Sequence, residues 1–340
     1  MVDKTGVLKN GMYIGFKTEY FNIIENDRYL FRCNLKEDNY TYPFGAFLNK
    51  IFLIMCNGEK IDIIEEGKSR QNEIVSKTIK INKSVLKKME EAGVYINDKK
   101  KSPPRKLAKY YFYFVEKYLR MSLSEREKTF YHKLIDEFND AAKLKRVILV
   151  RRNNGKKKSY LLPYRIITAE ENGHQYLTGF AVQKNDTGGY NYKGLINIPI
   201  YSVLPFNETF FFEKVDEIKP EKDLNFTKNS CQSYLMAVDN MKDRLNDDGV
   251  LYISAFTSKV KVRLTDTGLE YLYSRIQYRP RNFKHDKNDN HIIYFNGTWL
   301  QTFLYFFKFG AEAEIITPDD YRNRFREQYQ SALDNYANIK

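Results

Sequence analysis

The chain has few of the residues that build disulfide, metal and catalytic sites. Its 340 residues include 3 cysteines and 4 histidines. Cys33, Cys56 and Cys231 are odd in number and far apart, which excludes a closed disulfide framework or a zinc knuckle and predicts buried thiols. The histidines lack the spacing of a helical metal pair, and neither a glycine-rich phosphate loop nor a nucleophile elbow occurs. The sequence therefore favours a protein with no catalytic centre, metal or cofactor.

Long apolar runs are also missing. No stretch approaches the roughly 18 uncharged residues of a membrane-spanning helix, and the first residues lack the layout of a signal peptide. We therefore expect a cytoplasmic protein with no membrane partner. The apolar fraction of 42% and aromatic fraction of 15% nevertheless suffice for folded cores, and the length allows two or three domains.

Acidic residues are outnumbered by basic ones. The chain has 56 Lys and Arg against 43 Asp and Glu, a formal net charge of +13. Neutralising phosphates releases counterions, so this charge favours a nucleic acid as the partner. A basic soluble protein without such a partner is the alternative, because net charge bears on partners and not on fold.

Residues 1–58 have the pattern of one strand followed by two helices. An alternating run around residues 12–17 predicts the strand, and apolar spacing predicts helices over about 19–31 and 43–56. This order resembles the ribbon-helix-helix family, in which two chains pair their strands, so the resemblance implies a homodimer. Tyr13, Gly15 and Lys17 match the positions that read DNA in that family. Since one of the three is basic, we expect mainly a dimerisation module, with a DNA-reading strand at Tyr13 and Lys17 as the second interpretation.

Residues 59–140 read as a helical connector that contains a basic linker. The run from Lys99 to Lys106 carries paired prolines that prevent helix continuation. It is interpreted as a solvated linker or, alternatively, as a set of additional phosphate contacts through Lys101, Arg105 and Lys106. A helix is predicted over 104–121, and Ser124–Glu127 predicts a capping box for the next helix.

Residues 141–215 have the pattern of several short strands. The hairpin from Tyr160 to Phe180 turns at Glu170-Glu171-Asn172-Gly173, and its Asn-Gly pair tolerates the positive φ of such a turn. The two glutamates are interpreted as turn solvation and not as an acid/base pair. A strand over 145–152, a turn at 153–155 and a strand over 195–204 complete at least four strands, which suggests a small barrel.

These features occur in the order of the WYL-domain family. Gln175-Tyr176-Leu177 corresponds to its named triplet, Pro163–Ile166 lies upstream, and Phe309–Pro318 is similar to the signature of its C-terminal extension. The resemblance implies an α+β protein with a central SH3-like or Sm-like β-barrel that binds nucleic acid or a nucleotide-type ligand. It also implies an α/β extension over 216–340, which we expect to dimerise. The chain departs from the family at Gln175, where the triplet has tryptophan, and along 197–203, where the family has arginines.

A ribbon-helix-helix start before a WYL domain resembles the accessory proteins of type VI-D CRISPR systems. That resemblance implies a non-enzymatic partner that binds single-stranded RNA and stimulates an RNA-guided ribonuclease. The rival hypothesis is a transcriptional regulator that reads DNA and senses a ligand in the barrel. A third class, a nuclease in its own right, would require metal-dependent RNA cleavage by the chain alone.

The central hairpin and its neighbouring strand carry the predicted RNA site. Single-stranded RNA offers free bases for stacking and a backbone that follows cations, so a basic platform beside tyrosines suits it. Each tyrosine has the alternative role of a half-buried barrel residue, and Arg165 within a strand is the preferred contact. The predicted RNA-binding residues are Arg151, Arg152, Lys158, Tyr164, Arg165, His174 and Tyr176, with Tyr160 as a further stacking surface.

Overall fold

The computed structural model describes residues 12–31, 43–56, 74–93, 104–152, 157–206, 210–226 and 232–337. The chain divides into two compact units. The first contains Met1–Leu144, Ile148–Ser159 and Pro199–Val215, and the second contains Lys145–Val147, Tyr160–Ile198 and Asp216–Lys340. Each unit has a mixed α and β composition, so the α+β class is confirmed.

The first unit is mainly helical. Strands β3 and β8 each contribute residues to both units. The elements that belong wholly or mainly to the first unit are β1 (Met12–Lys17), α1 (Thr18–Leu30), α2 (Phe44–Met55), β2 (Ile74–Ile79), α3 (Lys83–Glu91), α4 (Pro104–Leu119), α5 (Leu123–Phe130), α6 (His132–Lys143), β3 (Arg146–Arg152), β7 (Val203–Leu204) and β8 (Glu213–Glu217).

The second unit contains most of the strands. Strand β4 begins in the first unit and continues into the second. The elements of the second unit are β4 (Lys157–Thr168), β5 (Gln175–Lys184), β6 (Tyr190–Pro199), α7 (Pro220–Asp223), β9 (Leu224–Asn225), α8 (Tyr234–Asp247), β10 (Ser258–Leu264), α9 (Asp266–Ser274), β11 (Lys284–His285), β12 (Ile292–Gly297), α10 (Trp299–Phe306), β13 (Ala313–Thr317) and α11 (Asp319–Ala337).

Buried aromatic rings form the core of the first unit. Helix α4 places apolar side chains at helical spacing, and Tyr111, Phe114 and Tyr118 on this stripe are each at most 1% exposed. The ring of Phe52 on α2 stacks on Tyr111 with centroids 4.9 Å apart. The predicted helix over 104–121 is therefore confirmed, and its apolar face is part of the core.

The predicted ribbon-helix-helix arrangement is not confirmed. Strand β1 pairs antiparallel with β2 of the same chain, from Met12 opposite Ile79 to Lys17 opposite Ile74. In the ribbon-helix-helix family this strand would pair with the same strand of a second chain. Here it pairs with β2, which lies more than fifty residues further along the same chain. Met12, Ile14 and Phe16 point into the core as the alternation predicts.

Helix α5 begins two residues earlier than predicted. Its N-cap is Ser122, whose hydroxyl accepts from the backbone N–H of Glu125 at 3.3 Å. The Glu125 carboxylate accepts from the Ser122 N–H at 2.8 Å, which completes a capping box. Ser122 and Glu125 have the same spacing as the predicted Ser124 and Glu127, but Glu127 is buried and so does not supply the exposed cap.

A buried carboxylate joins three helices of the first unit. Asp27 on α1 is 1% exposed and accepts from the Tyr118 hydroxyl of α4 at 2.8 Å. The Arg126 guanidinium of α5 donates to the same carboxylate from Nε at 2.6 Å and from Nη2 at 3.2 Å. Burial is the main cause that raises the pKa of the Tyr118 phenol, followed by the charge of Asp27. The phenol therefore remains a donor to the carboxylate.

The strands of the central hairpin form an open sheet and not the predicted barrel. In the second unit the strand order is β4-β5-β6-β9. Strand β6 pairs in parallel with the short β9, through Tyr190 with Leu224 and Asn191 with Asn225. That pairing occupies the edge of β6 that barrel closure would need. The predicted strand over 195–204 is interrupted, because a 3₁₀ turn at Ile200–Ser202 separates β6 from β7.

The C-terminal α/β extension forms a four-stranded antiparallel sheet with helices. Its strand order is β11-β12-β10-β13, and the chain order is β10, α9, β11, β12, α10, β13. This βαββαβ order is the ferredoxin-like topology. Helix α11 follows β13 and packs its rings on α10, with Trp299 and Phe325 centroids 5.4 Å apart. One face of the sheet is therefore covered by helices.

Two sequence expectations concern thiols and membrane helices. Cys56 is a free, buried thiol, as predicted, whereas Cys33 and Cys231 lie outside the described residues. Within the described ranges no helix has the length and apolar character that crossing a bilayer requires.

Replacing Asp27 by alanine should destabilise the first unit strongly. The substitution leaves the Arg126 guanidinium, with an 11% exposed side chain, without its carboxylate, and breaking such a pair costs about 3–5 kcal/mol. Urea unfolding followed by far-UV circular dichroism measures the loss. The control is Glu91→Ala, which breaks an ion pair to Lys88 whose side chains are 45% and 40% exposed, and should cost less than about 1 kcal/mol. Equal losses in the two variants would show that the buried carboxylate has no special role.

Candidate nucleic-acid interface

The hairpin of β4 and β5 has one irregularity in its pairing. Pro163 lies opposite Gly179 and Arg165 lies opposite Thr178, so Tyr164 is the extra residue of a β-bulge. A Cβ atom at position 179 would overlap the carbonyl oxygen of Leu162, so only glycine permits this close approach of the strands. The Thr178 hydroxyl donates to the Arg165 carbonyl at 2.6 Å and secures the register beyond the bulge.

The bulge places a cation and an aromatic ring side by side. The Arg165 guanidinium carbon lies 5.4 Å from the centroid of the Tyr164 ring. Arg165 is exposed, and Tyr164 is half-buried with its ring against Phe180 at a centroid distance of 6.0 Å. Within the described part of the chain no carboxylate lies within 4.0 Å of Arg165. The positive charge of Arg165 is therefore available to a ligand, beside a ring whose back is fixed by packing.

The turn of the hairpin is organised by Asn172. Its side-chain oxygen accepts from the His174 N–H at 3.0 Å, and its side-chain nitrogen donates to the Tyr176 hydroxyl at 3.1 Å. Gly173 has the φ of 72° that the Asn-Gly pair predicts. Tyr176 is only 6% exposed, so its ring offers no face for base stacking in this conformation. His174 is half-buried and lies at the end of the hairpin. Three residue pairs of the β4–β5 ladder separate it from the pair formed by Arg165 and Thr178.

Arg281 holds the turn from a distant part of the sequence. Its Nη2 donates to Glu170 Oε2 at 3.1 Å and to Glu171 Oε1 at 3.2 Å. The Glu171 side chain is 12% exposed, so this glutamate is not solvated as the sequence suggested. Burial, followed by the charge of Glu171, raises the pKa of the Tyr252 phenol nearby. The acidic turn is thus a structural ion-pair site.

Two departures from the WYL pattern have structural roles. Gln175, at the position of the tryptophan, is 1% exposed and donates to the Thr168 hydroxyl at 2.6 Å. Asn197, in the stretch where the family has arginines, donates to the carbonyls of Val250 and Leu251 at 2.7 and 3.1 Å. Both side chains therefore make hydrogen bonds within the second unit.

Three of the predicted RNA contacts lie in the first unit, on β3 and at the start of β4. They are Arg151, Arg152 and Lys158. The Arg151 guanidinium donates to the Phe206 carbonyl at 3.1 Å and lies 5.5 Å from the centroid of that ring. Arg152 donates to the Ser159 hydroxyl at 3.2 Å, and its burial lowers the pKa of its guanidinium. Lys158 is exposed. The two arginines are therefore engaged in local contacts, whereas Lys158 is accessible.

The remaining predicted contacts lie in the N-terminal half. Tyr13 is 69% exposed on β1, and Lys17 at the end of that strand is half-buried with its ammonium 5.6 Å from the centroid of the Tyr20 ring. Lys101 lies outside the described residues, and Arg105 and Lys106 fall in the first turn of α4.

Helix α8 adds residues to the surroundings of the hairpin that the sequence did not indicate. The Tyr234 ring packs on Phe180 with centroids 5.4 Å apart. Lys242 donates to Asp239 at 3.0 Å, and this hydrogen bond is the main cause that raises the pKa of the Lys242 ammonium. The charge of the Tyr164 phenol makes a smaller contribution to the same shift. No local sequence pattern links residues as distant in sequence as Phe180 and Tyr234.

Among the described residues no group of three or more His, Cys, Asp or Glu side chains is placed to hold a metal ion. His285 and His291 lie six positions apart in the sequence and contact different partners. The His285 ring lies 2.8 Å from the Tyr273 hydroxyl, and the His291 ring lies 3.0 Å from the Asp266 carboxylate. The hydrogen bond to Asp266 raises the pKa of His291.

Among solved structures, the chain is similar to one described as "Crystal structure of a CRISPR Cas-related protein". The TM-score is 0.65 at 18% sequence identity, over 98% of this chain and 95% of that chain. The two chains share a fold. At this identity the likeness extends to the fold and no further. Proteasome accessory factor B/C (PafBC) of Arthrobacter aurescens matches with a TM-score of 0.22 and 13% identity, over 59% of this chain and 27% of that chain, which is too low for any conclusion.

No protein-family model matches the chain, and no curated protein matches it. The WYL resemblance is therefore not confirmed by these comparisons.

Replacing Arg281 by alanine should loosen the hairpin turn. The substitution leaves the poorly exposed Glu171 carboxylate without its cation, so the turn opens more often. Hydrogen exchange of the Gly173 and His174 amides should become about tenfold faster, equivalent to about 1.4 kcal/mol of local stability. The control is Arg322→Ala, which removes an ion pair to Glu314 with side chains 56% and 43% exposed, and should leave these amides unchanged. Unchanged exchange in Arg281→Ala would contradict the role assigned to this residue.

Proposed function

We propose that this chain is a non-enzymatic accessory protein that binds single-stranded RNA and stimulates an RNA-guided CRISPR ribonuclease. It does so as a homodimer, with the β4–β5 hairpin as the RNA contact. The observation that carries the proposal is the exposed Arg165 beside the Tyr164 ring at the bulge. We name this pair of residues the bulge pair.

The bulge pair suits an unpaired nucleotide better than a duplex. A guanidinium binds a phosphate with parallel N–H donors, and the neighbouring ring stacks a free base. A base in a duplex already stacks on its neighbours and is not available to Tyr164. The net charge of +13 supplies the long-range attraction that brings an anionic strand to this surface.

The shared fold supports the CRISPR context. A structure described as CRISPR Cas-related covers nearly the whole of this chain and is itself matched over 95% of its length. A likeness over the full length makes a common cellular context the best-supported proposal, although the fold alone does not identify a partner. The stimulated ribonuclease is therefore part of the proposal and requires its own experiment.

A second candidate function is DNA binding by the two-stranded ribbon of β1 and β2. It is favoured by Tyr13, whose side chain is 69% exposed on the ribbon. Gly15 and Lys17 lie on the same strand face as Tyr13, and Ser76 and Thr78 lie opposite them on β2. A β-ribbon can enter the major groove, as in other ribbon readers. Few cations on this face make the RNA proposal the stronger one.

Replacing Arg165 by alanine should weaken binding of a fluorescein-labelled single-stranded RNA. One lost phosphate contact lowers the magnitude of the slope of log K against log salt by about 0.7 for a single strand. Fluorescence anisotropy across a salt series measures both affinity and slope. Arg326→Ala on α11 is the charge-matched control, because Arg326 is exposed in the same unit and outside the hairpin. An Arg165 variant indistinguishable from this control would move the site elsewhere.

Two further measurements separate the functional classes. Unlabelled duplex DNA should fail to displace the labelled RNA at stoichiometric amounts in moderate salt, whereas displacement would favour the ribbon as a DNA reader.

The purified chain should leave RNA intact in the presence of magnesium, and should increase the cleavage rate of a purified RNA-guided CRISPR ribonuclease. RNA cleavage by the chain alone would refute the non-enzymatic assignment.

A further inference from the structure

The C-terminal sheet has a face that the helices do not cover. Along β10, Val260, Val262 and Leu264 are at most 2% exposed, and β12 contributes buried Ile293 and Phe295 to the same core. Because side chains alternate across a strand, the residues between them point to the opposite side. We call that side the open face. Its members are Lys259, Lys261, Arg263, Lys284, Tyr294 and Asn296.

A tyrosine lies at the centre of the open face with a lysine on each neighbouring strand. Tyr294 on β12 is directly opposite Lys261 on β10 and directly opposite Lys284 on β11. Directly opposite residues have Cβ atoms about 5 Å apart and share a face. Lys259 and Asn296 form the next pair along the same two central strands. An aromatic ring is thus surrounded by ammonium groups on three sides.

The ring of Tyr294 is held in place, and the cations around it are not neutralised. Its hydroxyl donates to Asp286 at 2.8 Å. The ammonium groups of Lys259 and Lys261 lie 5.9 and 5.4 Å from its centroid. In the described part of the molecule, no carboxylate lies within 4.0 Å of Lys259, Lys261 or Lys284. The pKa of Asp286 is lowered mainly by a hydrogen bond from the Asn288 backbone and, to a smaller extent, by the charge of Lys261. The lysines have flexible stems, and in the described residues they have no close ion pair to give up when they move to a phosphate.

Acidic groups are present at the two opposite edges of the open face, beside β13 and beside β11, and are already engaged. Glu314 on β13 accepts from Arg263 at 3.0 Å and from Arg322 at 2.7 Å. Asp286 accepts from the Tyr294 hydroxyl. The region around Tyr294, Lys261, Lys284 and Lys259 therefore keeps a positive charge, whereas Arg263 is largely compensated.

We infer that the open face is a second binding surface for single-stranded RNA, with Tyr294 stacking a base and Lys259, Lys261 and Lys284 contacting the flanking phosphates. Four-stranded sheets that bind single-stranded RNA stack bases on aromatic side chains of the sheet face. Sequence-tolerant binding of this kind combines an aromatic ring with neighbouring cations, and half-buried Tyr294 with Lys259 and Lys261 beside its ring supplies both. A base that stacks on Tyr294 displaces the lysines from above the ring and directs them to the backbone.

This inference rests on the proposed function, because RNA is its ligand, but it uses residues separate from the bulge pair. Substitutions on the open face and at Arg165 therefore test different statements. The ligand could also be a protein surface, and the oligomeric state provides a readout for that outcome.

The experiment uses the full chain and a fluorescein-labelled twelve-nucleotide oligouridine, which has no structure of its own. Tyr294→Ala should weaken binding about tenfold, the effect of losing one stacked base. Tyr294→Phe keeps the ring and should bind within about twofold of the wild type. Lys261→Ala combined with Lys284→Ala should lower the magnitude of the salt slope by about 1.4, because two phosphate contacts are lost.

The matched control combines Lys308→Ala with Arg326→Ala. It removes the same charge from exposed positions of the same unit that lie outside the open face. Its slope should remain that of the wild type. A 4-thiouridine oligonucleotide should also cross-link to the segment that contains Tyr294, and this cross-link should be lost in Tyr294→Ala while circular dichroism shows a folded chain.

The outcomes separate the two proposals. If Arg165→Ala weakens binding and the open-face variants match their control, the inference is wrong and the proposed function stands. If the wild-type chain binds no RNA, both are wrong. If Tyr294→Ala changes the molar mass measured by light scattering without a change in RNA affinity, the open face is a protein interface and the inference is overturned.

Discussion

The contact between the backbone of Gly179 and the Leu162 carbonyl fixes the pairing of the two strands that carry the candidate site. Any side chain at position 179 would overlap that carbonyl oxygen, so the strands can approach this closely only at a glycine. The register changes immediately beyond it, where Tyr164 is the extra residue of the bulge. Without this pairing, strict alternation would place Tyr164 and Arg165 on opposite faces, and their side chains would not share one surface.

Whether a charged residue in a strand is exposed or engaged depends on which face of the strand carries it. Aromatic and aliphatic side chains occupy the buried faces, so cations within strands are either exposed or tied to local acceptors. Arg152 belongs to the second kind, because it donates to Ser159 and its burial lowers the pKa of its guanidinium. Arg165 belongs to the first kind, since it is exposed and no carboxylate among the described residues lies within 4.0 Å of it. Net charge alone could not make this distinction.

Local features of the fold could be predicted from the sequence, whereas long-range pairing could not. The Asn-Gly turn and the apolar stripe of α4 depend on residues within a few positions of each other, and both are present. The β1–β2 pair and the open order of the central sheet depend on which distant strand reaches a free edge, and no local pattern encodes that choice. The predicted dimer ribbon and barrel were therefore not confirmed.

The candidate site shows the same limit. Tyr164 and Arg165 are neighbours in sequence, but strict alternation places their side chains on opposite faces of a strand. The bulge that brings them onto one surface could not be predicted from the local pattern. Tyr176 reads as a strand tyrosine, and its burial depends on packing from elsewhere in the unit. Arg281 lies 110 positions from Glu171, which it holds, and its role could not be inferred from either segment alone.

Binding by this chain should combine two physical terms with different responses to salt. Attraction between +13 of net charge and a phosphate backbone weakens steeply as salt rises, because the entropy gained for each released counterion falls. Stacking of a base on Tyr164 or Tyr294 is a short-range contact and is largely insensitive to salt. On the proposed function, any basic surface of the chain should hold RNA at low salt. As salt rises, the remaining affinity should come from places where an aromatic ring and a cation lie together, so measurements at higher salt would identify the specific surfaces.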